Sequence, residues 1–212
     1  MVSTRRFGWT LVVVLVGTLV STGPVFAQSP SPSPDSDVDP PFDLGALLPA
    51  RIGAVELAVE TRGPEEMEER LQTSDNLLMS TLWAVLTESE RASTPISMAL
   101  ASPADPGTVE QYELVALHVR GIDAAELLSR MFRHMMAEQI RASGVEDPEE
   151  IERMTAGFES ILPRLTIAGR DVLSPDEGAD TTFEFFYPHG EVLFIVSSTD
   201  GVSMEEVLAG LP

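Results

Sequence analysis

Six stretches of this chain place apolar residues at every second position, and helical stretches separate them, which restricts the fold to a sheet with helices packed on it. From Ile52 to Thr61, Val55, Leu57 and Val59 oppose Glu56 and Glu60, the pattern of a strand with one solvated face. Pro95 to Ala101 buries Ile96, Met98 and Leu100. Glu110 to Arg120 sets Val115, Leu117 and Val119 against Leu114, Ala116 and His118, so both faces are apolar enough for a central strand. Three more strands are expected at Leu165 to Leu173, Thr181 to Tyr187 and Glu191 to Ser197, with Pro188-His189-Gly190 as the hairpin turn between the last two.

Helix signals fill the gaps. Arg62-Gly63-Pro64 ends the first strand, and Pro64 with Glu65, Glu66 and Glu68 opens a helix. Ser74 can cap a second stretch with Leu78, Leu82, Val85 and Leu86 on one stripe and Trp83 beside it as a core residue. Asp123 caps a long helix carrying Leu128, Met131, Phe132 and Met135, and Asp147-Pro148-Glu149-Glu150 starts another with Ile151, Met154, Phe158 and Ile161. Ser203-Met204-Glu205-Glu206 supplies a capping box for a closing helix that ends near Gly210. The order β-α-β-β-α-β-β-β-α offers few parallel crossovers. The expected fold is α+β: a mainly antiparallel sheet of about five or six strands with helices packed on one face. Val115 to Leu128 and Leu193 to Leu208 share a strand, turn and helix layout without residue identity.

The chain begins with Arg5 and Arg6, an apolar core from Leu11 to Val20, and Gly23-Pro24 before Val25-Phe26-Ala27. That is the order of a secretory signal, so residues 1–27 are expected to be a signal peptide cleaved after Ala27. Its core, about ten residues, is half of what a membrane span needs. Thr4-Arg5-Arg6 also matches the opening of a twin-arginine signal, so the export route stays open between the two. Residues 28–41, QSPSPSPDSDVDPP, cannot fill a core and read as an extended tether. Asp35, Asp37 and Asp39 imitate the start of a calcium loop, but Pro40 and Ala46 stand where its glycine and glutamate belong. Residues 42–212 are then one α+β domain, secreted or periplasmic, with no stable membrane insertion of the mature chain.

Composition removes whole reaction classes. The 13 basic residues, all arginine, face 34 acids, for a net charge of −21, which repels nucleic-acid backbones and anionic lipid. Lacking lysine, the chain has no phosphate-loop or Schiff-base lysine. Lacking cysteine, it has no thiol nucleophile, disulfide, thiolate zinc site or lipid-anchored cysteine.

Four short patterns carry a resemblance: Leu48-Pro49-x-x-Ile52-Gly53, Gly121-x-Asp123-Ala124-x-x-Leu127, Ile167-x-Gly169-x-x-Val172 and Gly190-Glu191-Val192-Leu193-Phe194. Together they make nearly the whole domain similar to exported proteins of unknown function from high-GC bacteria. The resemblance implies no activity, substrate or catalytic residue.

Three histidines, His118, His134 and His189, lack metal-helix or metal-ribbon spacing, although a zinc site completed by distant carboxylates stays open. Gly-x-Ser-x-Gly is missing. Asp176, Glu177 and Asp180 are the nearest to a glycosidase carboxylate pair, yet their Pro/Gly context reads as an exposed loop. The sequence therefore assigns no catalytic, cofactor-binding or metal-binding residue and implies no cofactor. The expected function is a non-enzymatic binding or structural module of the cell envelope or extracellular space, its partner an unknown protein or small ligand. A carboxylate- or metal-dependent hydrolase is the alternative. Phe183 to Tyr187 is a candidate self-association surface.

Overall fold

A computed structural model of the chain describes residues 42–73, 77–105, 112–156, 164–174, 182–199 and 204–212. The strands are β1 (Arg51–Ile52), β2 (Val55–Arg62), β3 (Ile96–Pro103), β4 (Tyr112–Val119), β5 (Arg164–Ile167), β6 (Arg170–Leu173), β7 (Thr182–His189) and β8 (Val192–Thr199). They form one sheet in the order β1-β2-β3-β4-β8-β7-β6-β5, with every neighbouring pair antiparallel. The α+β class and the antiparallel sheet hold, but the sheet has eight strands rather than five or six.

Two expected strands are in fact hairpins. Residues 52 to 61 break at Gly53, whose φ is 53°, so that Ile52 pairs with Val55. Residues 165 to 173 break at Ala168 and Gly169, with φ of 52° and 76°, and Ile167 pairs with Arg170. Positive φ at consecutive turn residues matches the twist of the flanking strands, and glycine adopts it without steric cost.

Of the helices, α1 (Pro64–Thr73), α4 (Ala124–Ala142) and α5 (Pro148–Thr155) follow expected starts, α2 (Leu77–Val85) carries the expected second helical stretch, and α3 (Glu88–Ser93) is an additional helix. The α3 N-terminus is a capping box in which Thr87 and Glu90 bond to each other's backbone. Asp123 accepts from the N–H groups of Ala125 and Glu126 and fixes the start of α4. Along α4, Leu127, Leu128, Met131, Phe132 and Ile140 are buried, and Phe132 meets Phe186 edge-on at 5.2 Å between centroids. On α5 the expected stripe is not continuous: Ile151 is buried but Met154 is 53% exposed. Phe158, Ile161 and the Ser74 and Ser203 caps lie outside the described residues, as do Asp176, Glu177 and Asp180.

Alternation along the central strands splits the apolar residues into two clusters. Met98, Val115, Leu117, Val119, Leu193 and Ile195 meet Met67, Leu82, Leu127 and Met131 from α1, α2 and α4 on the first face. Trp83 packs at the margin of this core, with Arg91 over its ring at 4.7 Å. On the second face Ala99, Ala101, Leu114, Ala116, Phe194 and Val196 meet Leu44 and Leu48, which flank a short 3-10 turn, and Val207 and Leu208 of α6 (Met204–Ala209). Helical structure therefore covers both faces, not one. The fully buried Ala99, Ala101 and Ala116 let the N-terminal segment and α6 lie close to the backbone there. Among the described residues no helix is long and apolar enough to cross a membrane.

Candidate functional site

With both faces covered, the surfaces the sheet still offers are its two edges, β5 at one end and β1 with the remainder of β2 at the other, and the second carries the acids. The short β1 pairs with β2 only at Arg51↔Glu56 and Ile52↔Val55, after which the Leu57 amide donates to the Ala50 carbonyl at 2.9 Å. Backbone groups of alternate residues in a strand point to the same neighbour. Leu57 therefore shares its outward direction with Val59 and Thr61, whereas Glu56, whose carbonyl accepts from the Ala104 amide at 2.9 Å, turns toward β3 with Ala58, Glu60 and Arg62. Beyond Leu57 the outer edge has no ladder partner among the described residues. Ala58, Val59, Glu60 and Thr61 are all exposed, Val59 to 39%.

Where this edge meets α1, Arg62 is only 5% exposed. Its register partner is Met98, which places it on the first face. Arg62 Nε and Nη2 donate to Glu60 Oε1 at 3.1 and 2.9 Å, and Glu66 Oε1 lies 3.4 Å from Nε. The buried Nη1 has no hydrogen-bond partner among the described residues. A buried guanidinium costs free energy unless carboxylates meet it, and here both of them stay in water, Glu60 at 59% and Glu66 at 49% exposure.

Glu113 on β4 lies opposite Ser197, which is itself buried. Burial pushes its carboxyl up to about 7, and the positive charge of Arg62 pulls the other way without reversing it. This carboxyl can therefore exchange a proton near neutral pH. Glu191 shows the opposite shift. The Gly121 amide and His118 hold it below the usual carboxylate range.

Two of the three histidines are brought into one row. His118 and His189 both lie opposite Val192, one on each side of β8. His118 Nε2 is 3.1 Å from Glu191 Oε2, and the Phe42 ring lies against the imidazole at a tilt of 36°, 4.8 Å between centroids. His189 Nδ1 is 3.1 Å from Tyr187 Oη, which also donates to the Pro212 carbonyl oxygen at 3.0 Å. A row with one strand between its histidines separates them by about 9 to 10 Å, too far for one ion to be ligated by both. His134 is half-buried on α4, away from this row. Among the described residues no group of three or more His, Asp or Glu could hold a metal ion. Asp35, Asp37 and Asp39 lie outside the described residues.

Sequence reading missed Arg62 and Glu113. Arg62 looked like part of a strand-breaking tripeptide, and the lone acid in an apolar strand was the available sign of Glu113. Of the self-association stretch, Phe185, Phe186 and Tyr187 are buried, Phe186 in the first core and the other two in the second, so these rings serve packing within the chain. No protein-family model, curated protein sequence or solved structure matches the chain.

Proposed function

We propose that the chain is an exported, non-enzymatic module that binds a protein or small ligand, or holds a structural place, in the cell envelope or extracellular space. In this reading residues 1–27 direct export and are removed after Ala27, and residues 28–41 tether the domain. The observation that carries it is the contrast between two covered faces and the open strand edge at Ala58 to Thr61. A sheet whose faces are occupied by its own side chains keeps its edge for partners. The four patterns behind the resemblance to exported high-GC proteins support the fold rather than a chemistry: each includes or flanks a turn glycine with positive φ, at Gly53, Gly121, Gly169 and Gly190.

One observation favours a second reading, a hydrolase that uses a carboxylate. Glu113, with a pKa of about 7, has the protonation range of a general acid or base. The test combines both readings. The chain is expressed with its leader in a bacterial host, and the exported product is weighed, screened for ligand-induced thermal shifts and assayed on peptide, ester and glycoside substrates. A product starting at Gln28, with a selective shift and no turnover, supports the module. Retention of the leader in the cytoplasm, or turnover that Glu113→Gln abolishes, counts against it.

A further inference from the structure

We propose that the outer edge of β2 receives an extended, basic segment of a protein partner as an added strand. This rests on the reading of the chain as a binding module and names its site and the partner's chemistry. Val59 and Thr61 point two N–H and two C=O groups outward, a template on which a peptide forms main-chain bonds. Side chains alternate across the strand, and the two sides differ. Glu56 and Glu60 lie on the side of the helical face, and the half-exposed Val59 lies on the other with Thr61.

Charge decides the occupant. Beyond β1, where Arg51 already faces Glu56, this corner carries Glu60, Glu65 and Glu66 against Arg62 alone, and Arg62 is buried and already bonded to Glu60 and Glu66. The acids at this corner are exposed, and the chain as a whole carries −21. A second copy would bring the same acids to the same edge, and pairing two β2 strands about Glu60 would set the two Glu60 side chains opposite each other. The acids thus guard the edge against its own kind and attract a cationic strand. The matching segment sets arginine or lysine opposite Glu60, beyond the Arg51–Glu56 pairing of β1, with β-branched apolar residues beside Val59.

The experiment titrates an end-blocked octapeptide of alternating arginine and valine into the purified full chain. Binding is followed by fluorescence anisotropy and backbone amide exchange. The expected result is saturable binding that weakens with salt, new protection at the Val59 and Thr61 amides, and no binding of the analogue with glutamate in place of arginine. Val59→Pro removes an outward N–H that the β2–β3 ladder does not use, so it should weaken binding at least tenfold while exchange at Leu117 and Phe194 stays unchanged. Equal binding to Val59→Pro, protection elsewhere than β2, or no binding overturns the proposal. In each of those cases a thermal shift with another ligand leaves the module reading standing, whereas turnover dependent on Glu113 removes that reading itself.

Discussion

The two faces of the sheet are buried by different means. On the first, bulky Met98, Leu117 and Leu193 interdigitate with α1, α2 and α4, and the 19-residue α4 supplies a regular apolar stripe. On the second, Ala99, Ala101 and Ala116 lower the sheet surface beside Leu114, Phe194 and Val196, and the cover is the six-residue α6 with an N-terminal segment that is mostly irregular. Large side chains let regular helices pack at a distance. Small ones let irregular backbone approach, at the cost of leaving no room for an added methylene.

That contrast can be broken from either side. Truncation should be severe on both faces, because the side chains removed are fully buried: Phe194→Ala should cost about 3–5 kcal/mol and Leu117→Ala about 2–5 kcal/mol in denaturant unfolding. Enlargement should separate them. Ala116→Leu on the second face should cost about 1–3 kcal/mol, whereas a bulkier Val85, at the margin of the first core, should be nearly neutral.

Those three alanines also explain what sequence pattern could not supply. Small residues carry a weak apolar signal, so Ala99 and Ala101 on β3 read as a neutral side and the expectation settled on helices on one face. The first face was legible because Leu128, Met131 and Phe132 recur at helical spacing and Ile96, Met98 and Leu100 at strand spacing. The two extra strands were hidden because the Gly53 and Ala168-Gly169 turns lack the Asn-Gly or Asp-Gly signature. At the candidate site, the acid and apolar alternation of β2 was legible. Its freedom from a ladder partner was not, because strand order is set by long-range pairing. Glu113 and Arg62 influence each other through space, from strands separated by β3.

Two charged sites on the helical side sharpen the comparison at smaller scale. Glu113 has its pKa raised from 4.5 to about 7, so the stability of its neutral form is complete below pH 4.5 and is lost as pH rises through 7. Glu113→Gln removes that loss. The variant should match the parent near pH 4 and exceed it by about 1–2 kcal/mol at pH 8, after allowance for partial solvent screening. Glu90 behaves oppositely. Its bond to Arg130 Nη1 at 2.8 Å and its place in the Thr87 capping box hold it at about 2, so its contribution is present above pH 4.5 and fades as pH falls toward 2. Because its side chain keeps contact with water and its charge is partly screened there, Glu90→Gln should cost only about 0.5–1 kcal/mol at pH 7 and almost nothing at pH 2.

Residue-resolved amide hydrogen exchange along β2 in the unliganded chain tests most directly that the sheet is covered on its faces and open at this edge. The account predicts an alternating profile, with the Ala58, Glu60 and Arg62 amides protected by the ladder to β3 and the Val59 and Thr61 amides exchanging fast. Uniform protection from Ala58 to Arg62 would mean that the outer edge is already occupied, and would contradict it.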